Sequence, residues 1–271
     1  MVTWTLADIP WDRFDPAKVD PELLRIVKAA SLVELNGGDY ARYLCNVFAD
    51  DPAFQVVARR WGDEETQHGM ALGRWASLAD PGFDHEAASA RFTAGFRVPL
   101  DARSSVRGSH SGELVARCIV EIGTSSYYTA LAEAAKEPVL KAICKRIAGD
   151  EIRHYKLFYT HMTRYLASEG LGFWGRIRVA LGRVAESEDD ELAYAYYAAN
   201  DDAGAYERRR CSRAYARRAY AVYRRHHVER GIAMLFKAVG LKPQGRLKLM
   251  TARLAWWGMR RRVQHLDRIA A

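Results

Sequence analysis

The 271-residue chain holds only 20 glycines and 8 prolines, too few for a collagen-like or low-complexity polymer. It has no apolar run near the roughly 18 residues that a membrane-spanning helix needs. Its first residues, Met1-Val2-Thr3-Trp4-Thr5, lack a basic start followed by an apolar stretch, so no secretory signal is expected. Four cysteines, Cys45, Cys118, Cys144 and Cys211, stand far apart with no Cys-x-x-Cys pair. That pattern argues against a disulfide framework, a zinc ribbon and a rubredoxin-type iron site, and it makes a reducing cytoplasm the expected location. No segment alternates apolar and polar residues convincingly enough to be a strand. What is present is a globular composition, 49% hydrophobic and 27% charged, sufficient for a core.

Acidic residues are scarce at one end. Residues 1–170 carry 20 Lys/Arg against 23 Asp/Glu, whereas residues 171–271 carry 21 against 10, and from Arg208 onward the count is 18 against 2. A net charge of +8 is therefore a near-neutral body joined to a strongly basic C-terminal part. An asymmetry of this size speaks of partners rather than of fold.

The body reads as helical. Asp20-Pro21 and Asp51-Pro52 each pair an N-cap with proline at the first helical position. Apolar residues recur at helical spacing from Pro21 to about Ala49 and again from Pro52 to about Leu78. The turn between is minimal, so these two helices are antiparallel neighbours. Residues 79–110 form a connection broken by Pro81-Gly82, Pro99 and Gly108, with a short helix around Glu86–Phe92. A third helix from about Gly112 to Ala135 and a fourth from Glu137-Pro138 to about Ser168 follow. Two helical hairpins joined by one long crossover predict an all-α, ferritin-like four-helix bundle over residues 1–170. Residues 171–271 are expected to add a basic helical extension, with helices at Phe173–Glu186, Asp190–Ala199, Tyr206–Val239 and Gly245–Ile269.

The acidic residues of this bundle make it informative. Helix two carries Glu65-x-x-His68 and helix four carries Glu151-x-x-His154. Residues at i and i+3 share one helix face, so each Glu and His can reach one metal site. The preceding helices supply Glu34 and Glu121. Counted from the turn near residue 50.5, Glu34 lies 16.5 residues before it, with Glu65 and His68 14.5 and 17.5 after. Counted from residue 136, Glu121 lies 15 before, with Glu151 and His154 15 and 18 after. At about 1.5 Å per residue all six sit roughly 22–27 Å from the loops. Four carboxylates and two histidines in level trios are the donor set of dinuclear carboxylate sites in bundle cores. Buried together, the carboxylates would need cations or protons to neutralise them. The segments Arg60–His68 and Arg146–His154 also repeat at an offset of 86. Glu64 and Asp150, just before a ligand in each repeat, are candidate acceptors for an imidazole N–H. Gly37-Gly38, one turn after Glu34, either clears space beside the metals, or permits a π-bulge, or allows close helix packing.

These segments resemble the soluble acyl-carrier-protein desaturases. The stretch Trp61-x-x-Glu64-Glu65-x-x-His68-Gly69 is similar to that family's first histidine motif, and Ile143-Cys144-x-x-Ile147-Ala148-x-Asp150-Glu151-x-Arg153-His154 to its second. Thr124, three residues after Glu121, falls where the family has a threonine beside the oxygen-reacting face. The likeness covers residues 55–160. It implies two iron ions, with an iron–manganese pair as the variant, that activate O2 to oxidise a mostly apolar, carrier-bound or lipid-like substrate by desaturation or hydroxylation. Glu34 and Glu151 would be terminal carboxylates, Glu65 and Glu121 bridges, and Thr124 a catalytic hydroxyl. Electrons would come from an external donor, a ferredoxin-like protein or other reductase, since no flavin, haem or iron–sulfur motif is present. The arginine-rich C-terminal part, interleaved with Tyr215, Tyr220, Tyr223 and Trp256-Trp257, would suit an acidic acyl carrier protein or an anionic membrane surface, the latter placing the protein peripherally at the inner membrane. Nucleic acid ranks third, since no recognised binding motif accompanies the charge; a solvated helix face and a homodimer are the remaining options. The competing functions are an iron-binding or ferroxidase protein of the ferritin kind and a non-catalytic interaction protein.

Overall fold

The computed structural model describes residues 4–186, 190–200 and 204–270. Among them there is no strand. Three 3-10 turns, Leu6–Asp8, Trp11–Arg13 and Pro16–Lys18, lead into α1 (Pro21–Leu35), α2 (Gly37–Val47), α3 (Pro52–Ala79), α4 (His85–Gly95), α5 (His110–Ala134) and α6 (Pro138–Glu169). Then come α7 (Phe173–Ala185), α8 (Asp190–Asn200), α9 (Arg208–Ala221), α10 (Arg225–Val239) and α11 (Arg246–Ala270). The protein is all-α, as its punctuation predicts. The chain divides into two compact units.

The first unit comprises Met1–Arg103, Leu131–Arg146 and Glu188–Ala219. Its helix starts are fixed by side chains that accept from exposed backbone N–H groups: Asp20 from Glu22 and Leu23, Asp51 from Phe54, and Asp84 from Ala87. The start of α6 is held from within the core. Glu137, only 1% exposed, accepts from the backbone of Val139 (3.1 Å) and Leu140 (2.7 Å), from Trp75 Nε1 (2.7 Å) and from the backbone N–H of Asp15 (3.2 Å). That set satisfies a buried carboxylate and ties the N-terminal turns to α3 and α6 at once. Both α1 and α2 pack on α3, and α1 also packs on α8.

The expected single helix from Pro21 to about Ala49 is interrupted. Asn36 breaks it with one tight turn, its N–H donating to Val33 O at 3.1 Å, and α2 restarts at Gly37. Packing accounts for the glycines. A Cβ at Gly37 would lie 2.2 Å from Glu65 Cβ, one at Gly62 would lie 2.5 Å from Ala41 Cβ, and one at Gly69 would lie 2.5 Å from the Leu35 nitrogen. Three glycines thus let α1 and α2 approach α3 to backbone contact, which is the close-packing reading of Gly37. Gly38 has room, with Thr66 Oγ1 3.9 Å away as its nearest neighbour.

The second unit comprises Ser104–Ala130, Ile147–Ser187 and Tyr220–Ala271. The start of α5 is capped by Glu169, which accepts from the backbone N–H groups of His110 (3.1 Å) and Ser111 (2.7 Å). Burial works against that charge, yet the bonds from Ser111 and His110 outweigh it and hold the Glu169 carboxyl below its ordinary pKa. Helix α10 packs on α7 and α11, accepts from Tyr155 on α6 at Met234 O (3.0 Å), and ends at Gly240 in the left-handed conformation (φ 87°). The predicted helix over Tyr206–Val239 is in fact two. Arg224 is extended (φ −120°, ψ 163°), and its N–H donates to His227 Nδ1 at 2.9 Å, so His227 caps a new helix where the pattern alone suggested continuity.

Candidate metal sites

The first unit brings Glu34, Glu65 and His68 together. Glu65 and His68 project from one face of α3, as their spacing requires, and Glu34 comes from the last turn of α1. All three are buried, at 7%, 6% and 0% exposure. His68 Nδ1 lies 3.7 Å from Glu34 Oε2 and 3.6 Å from Glu65 Oε2. The Trp4 ring stacks on His68, centroids 5.9 Å apart and planes 7° from parallel. Gln67 Nε2 donates to Trp4 O at 3.1 Å and holds the N-terminal segment there.

In the second unit the same geometry recurs. Glu121 on α5 and Glu151 and His154 on α6 are 1%, 0% and 2% exposed. His154 Nδ1 lies 3.7 Å from Glu121 Oε2 and 3.9 Å from Glu151 Oε1. Thr124 Oγ1 is 2.5 Å from Glu151 Oε2 and 3.3 Å from both the Val120 and Glu121 carbonyls. Its proton therefore goes to the carboxylate. With Oε2 engaged by the hydroxyl, Oε1 is the oxygen turned towards the imidazole.

Both trios suit a transition-metal ion. In each, the imidazole nitrogen and two carboxylate oxygens lie within 4.8 Å of one another. The nitrogen-to-oxygen separations of 3.6–3.9 Å exceed an N–H···O hydrogen bond, whose usual range is about 2.7–3.2 Å. Donors bound about 2.1 Å from one ion at tetrahedral or wider angles stand roughly 3.4–3.9 Å apart. Nitrogen with carboxylate oxygen is a donor set that iron, manganese and zinc all accept.

The carboxylates beside the trios are held by arginines. Glu64, 5% exposed, lies 3.6 Å from Arg60 Nε, and Asp150, 4% exposed, is paired with Arg153. All four cysteines are free thiols. Cys118, one turn before Glu121, is kept protonated by burial and secondarily by the Glu121 charge, both of which push its pKa well up. Trp4 was not legible as a site residue, because nothing in a terminal Val-Thr-Trp signals that it returns to α3.

Neither a protein-family profile nor a curated protein sequence matches the chain, so the chemistry is argued from the residues. A cleft of about 420 Å³ opens in the first unit between α1, α3 and α4, lined by Leu35, Met70 and Ala90 with His85, Glu86, Ser89 and Thr93. The basic segment is partly spent on the body: Arg217 and Arg218 contact Glu22 at 3.1 and 3.0 Å, and Arg208 lies 3.4 Å from Asp190.

Proposed function

We propose that the chain is a ferritin-like di-iron protein that uses O2 to oxidise a mostly apolar substrate, with two iron ions per chain, one addressed by each trio. The observation that carries this reading is the recurrence in each unit of a buried Glu plus Glu-x-x-His trio with nearly equal imidazole-to-carboxylate separations. A solvated face would not bury three titratable groups twice over. When bound, a reduced iron pair supplies the electrons that activate O2. The residues do the remainder. Two carboxylates and one imidazole per ion keep the charge near neutral and leave positions open, as a catalytic rather than a closed structural site requires. Thr124 fixes Glu151 by holding Oε2, and can pass a proton along that bond. Trp4 shields His68 from water and locks its ring plane.

The test is anaerobic Fe(II) titration of the purified protein, followed by O2. Two ions per chain, reductant-dependent O2 consumption and a product from a copurifying lipid-like molecule are expected. His68→Ala and His154→Ala should each remove predominantly one ion. A folded wild-type chain that binds no metal would overturn the reading. Cage assembly with iron loading and no organic product would replace it by iron handling.

A further inference from the structure

We infer that the second unit carries an interfacial anchor for an anionic lipid surface, formed by α11 and assisted by α7. Helix α11 is apolar on two opposite faces. Ala252 and Leu266 are buried, at 0% and 3%, on the side that serves the packing. Leu247, Met250, Leu254 and Trp257, spaced three, four and three residues apart, form a second stripe on the opposite side at 58%, 59%, 66% and 54% exposure. Arginines border that stripe: Arg246 and Arg253 on one side, and Arg261, whose guanidinium lies 3.9 Å over the Trp257 ring. In all of α11 Asp267 is the one acidic residue. Helix α7 is built alike, with Trp174 (78% exposed) and Leu181 (63%) one heptad apart, exposed Arg178 between them and no acidic residue. Both helices pack on α10.

Charge complementarity selects the occupant. A second copy of this chain would set arginine against arginine, and a buried core site would not rim its apolar stripe with cations. An anionic headgroup layer takes both at once: leucine and tryptophan enter the acyl boundary while arginines meet the phosphates. No described helix is long and apolar enough to cross a membrane, so these helices would lie on it. The stripe spans about 15 Å of helix, three turns of continuous contact. The inference does not depend on iron.

The test uses the full-length protein with vesicles of phosphatidylcholine alone and of phosphatidylcholine mixed with phosphatidylglycerol. Wild-type protein should float with the mixed vesicles only, and added salt should weaken binding. Leu254→Asp with Trp257→Ser should reduce that binding at least about tenfold, with helix content and oligomeric state unchanged; the milder Leu247→Gln guards against misfolding and should weaken binding by a smaller factor. Wild-type protein that ignores anionic vesicles, or variants that bind as well as wild type, would overturn the proposal. A wild-type dimer that the double variant converts to monomer without vesicle binding would assign the stripe to a second copy instead. Loss of binding to an acidic carrier protein, again without vesicle binding, would assign it to that partner.

Discussion

Replacing Gly37 with alanine adds one methyl group where the start of α2 meets α3. On the present backbone that carbon would lie 2.2 Å from Glu65 Cβ and 3.1 Å from Glu65 Cγ, against about 3.5–4.0 Å for an ordinary carbon contact. Neither atom is the far end of a flexible chain, so α2 must retreat, or Glu65 must be carried aside, by more than about 1 Å. Overpacking of this kind costs about 1–3 kcal/mol. Alanine recovers up to about 1 kcal/mol as the better helix former, leaving a net loss of up to about 3 kcal/mol in metal-free protein. The metal-loaded protein should lose more, because a donor moved by 1 Å falls far outside the roughly 0.2 Å tolerance of a coordination bond. Urea unfolding of both forms, with metal counted before and after, measures the two losses separately. Gly38→Ala is the control: its nearest neighbour is 3.9 Å away, so it should be neutral or slightly stabilising. If Gly37→Ala unfolds at the same urea concentration as Gly38→Ala and keeps its metal, the packing argument for Glu65 is wrong.

Two further predictions use other parts of the molecule. Thr124→Val keeps shape but removes the donor to Glu151 Oε2; metal content should stay near normal while rapid mixing of reduced protein with O2 shows altered kinetics, and identical traces would leave Thr124 an ordinary core residue. Lys28 Nζ lies 2.6 Å from Asp80 Oδ2, and that hydrogen bond is the main cause holding the Asp80 carboxyl below its usual pKa. The stabilisation is present above the unfolded value of about 4 and fades as pH falls through the lower folded one. Lys28→Met should therefore lower the urea midpoint at neutral pH, with the gap to wild type narrowing in strong acid; a gap independent of pH would mean that only packing was lost.

The site was legible where local periodicity decides it. A Glu and a His three residues apart share a helix face whatever the tertiary structure does, and equal distances from a tight turn place partner carboxylates level. Asp20 and Asp51 were legible as caps for the same reason, their bonds spanning two or three residues. What escaped depends on remote neighbours. The break at Asn36 reflects the approach of Gly37 to Glu65, 28 positions away, so the helical pattern ran through it. Trp4 stacks on His68 because the N-terminal turns come back over α3, and Glu137 looked like a mere helix start although it gathers bonds from Asp15 and Trp75. The bond from Thr124 to Glu151 also escaped, because the spacing of Thr124 from Glu121 says nothing of a carboxylate on another helix, 2.5 Å away in the fold. The pairing of Arg217 and Arg218 with Glu22 is likewise beyond a local pattern, since the partners are 195 and 196 residues apart.

The strongest constraint on either trio is electrostatic rather than steric. Two ionised carboxylates with oxygens up to 4.8 Å apart repel by roughly 3–4 kcal/mol at an effective dielectric constant near 20, and burial adds a desolvation cost to each. A divalent cation cancels both at once. That is consistent with the two units keeping one donor set while supporting it differently, with Gly37 and Trp4 in the first and Thr124 in the second. It also fixes the sign of a test. Glu121→Gln keeps the shape of the side chain and removes one of the two negative charges of its trio. Metal-free Glu121→Gln protein should unfold at higher urea than metal-free wild type, because the repulsion is gone. Metal-loaded Glu121→Gln protein should unfold at lower urea than loaded wild type, because a charged donor is gone and the binding energy it contributed to the folded state goes with it. Opposite signs in the two forms are what a cation-holding trio produces. Destabilisation in both would mean that the protein's own hydrogen bonds already stabilise the Glu121 charge, and the metal reading of the second unit would fall.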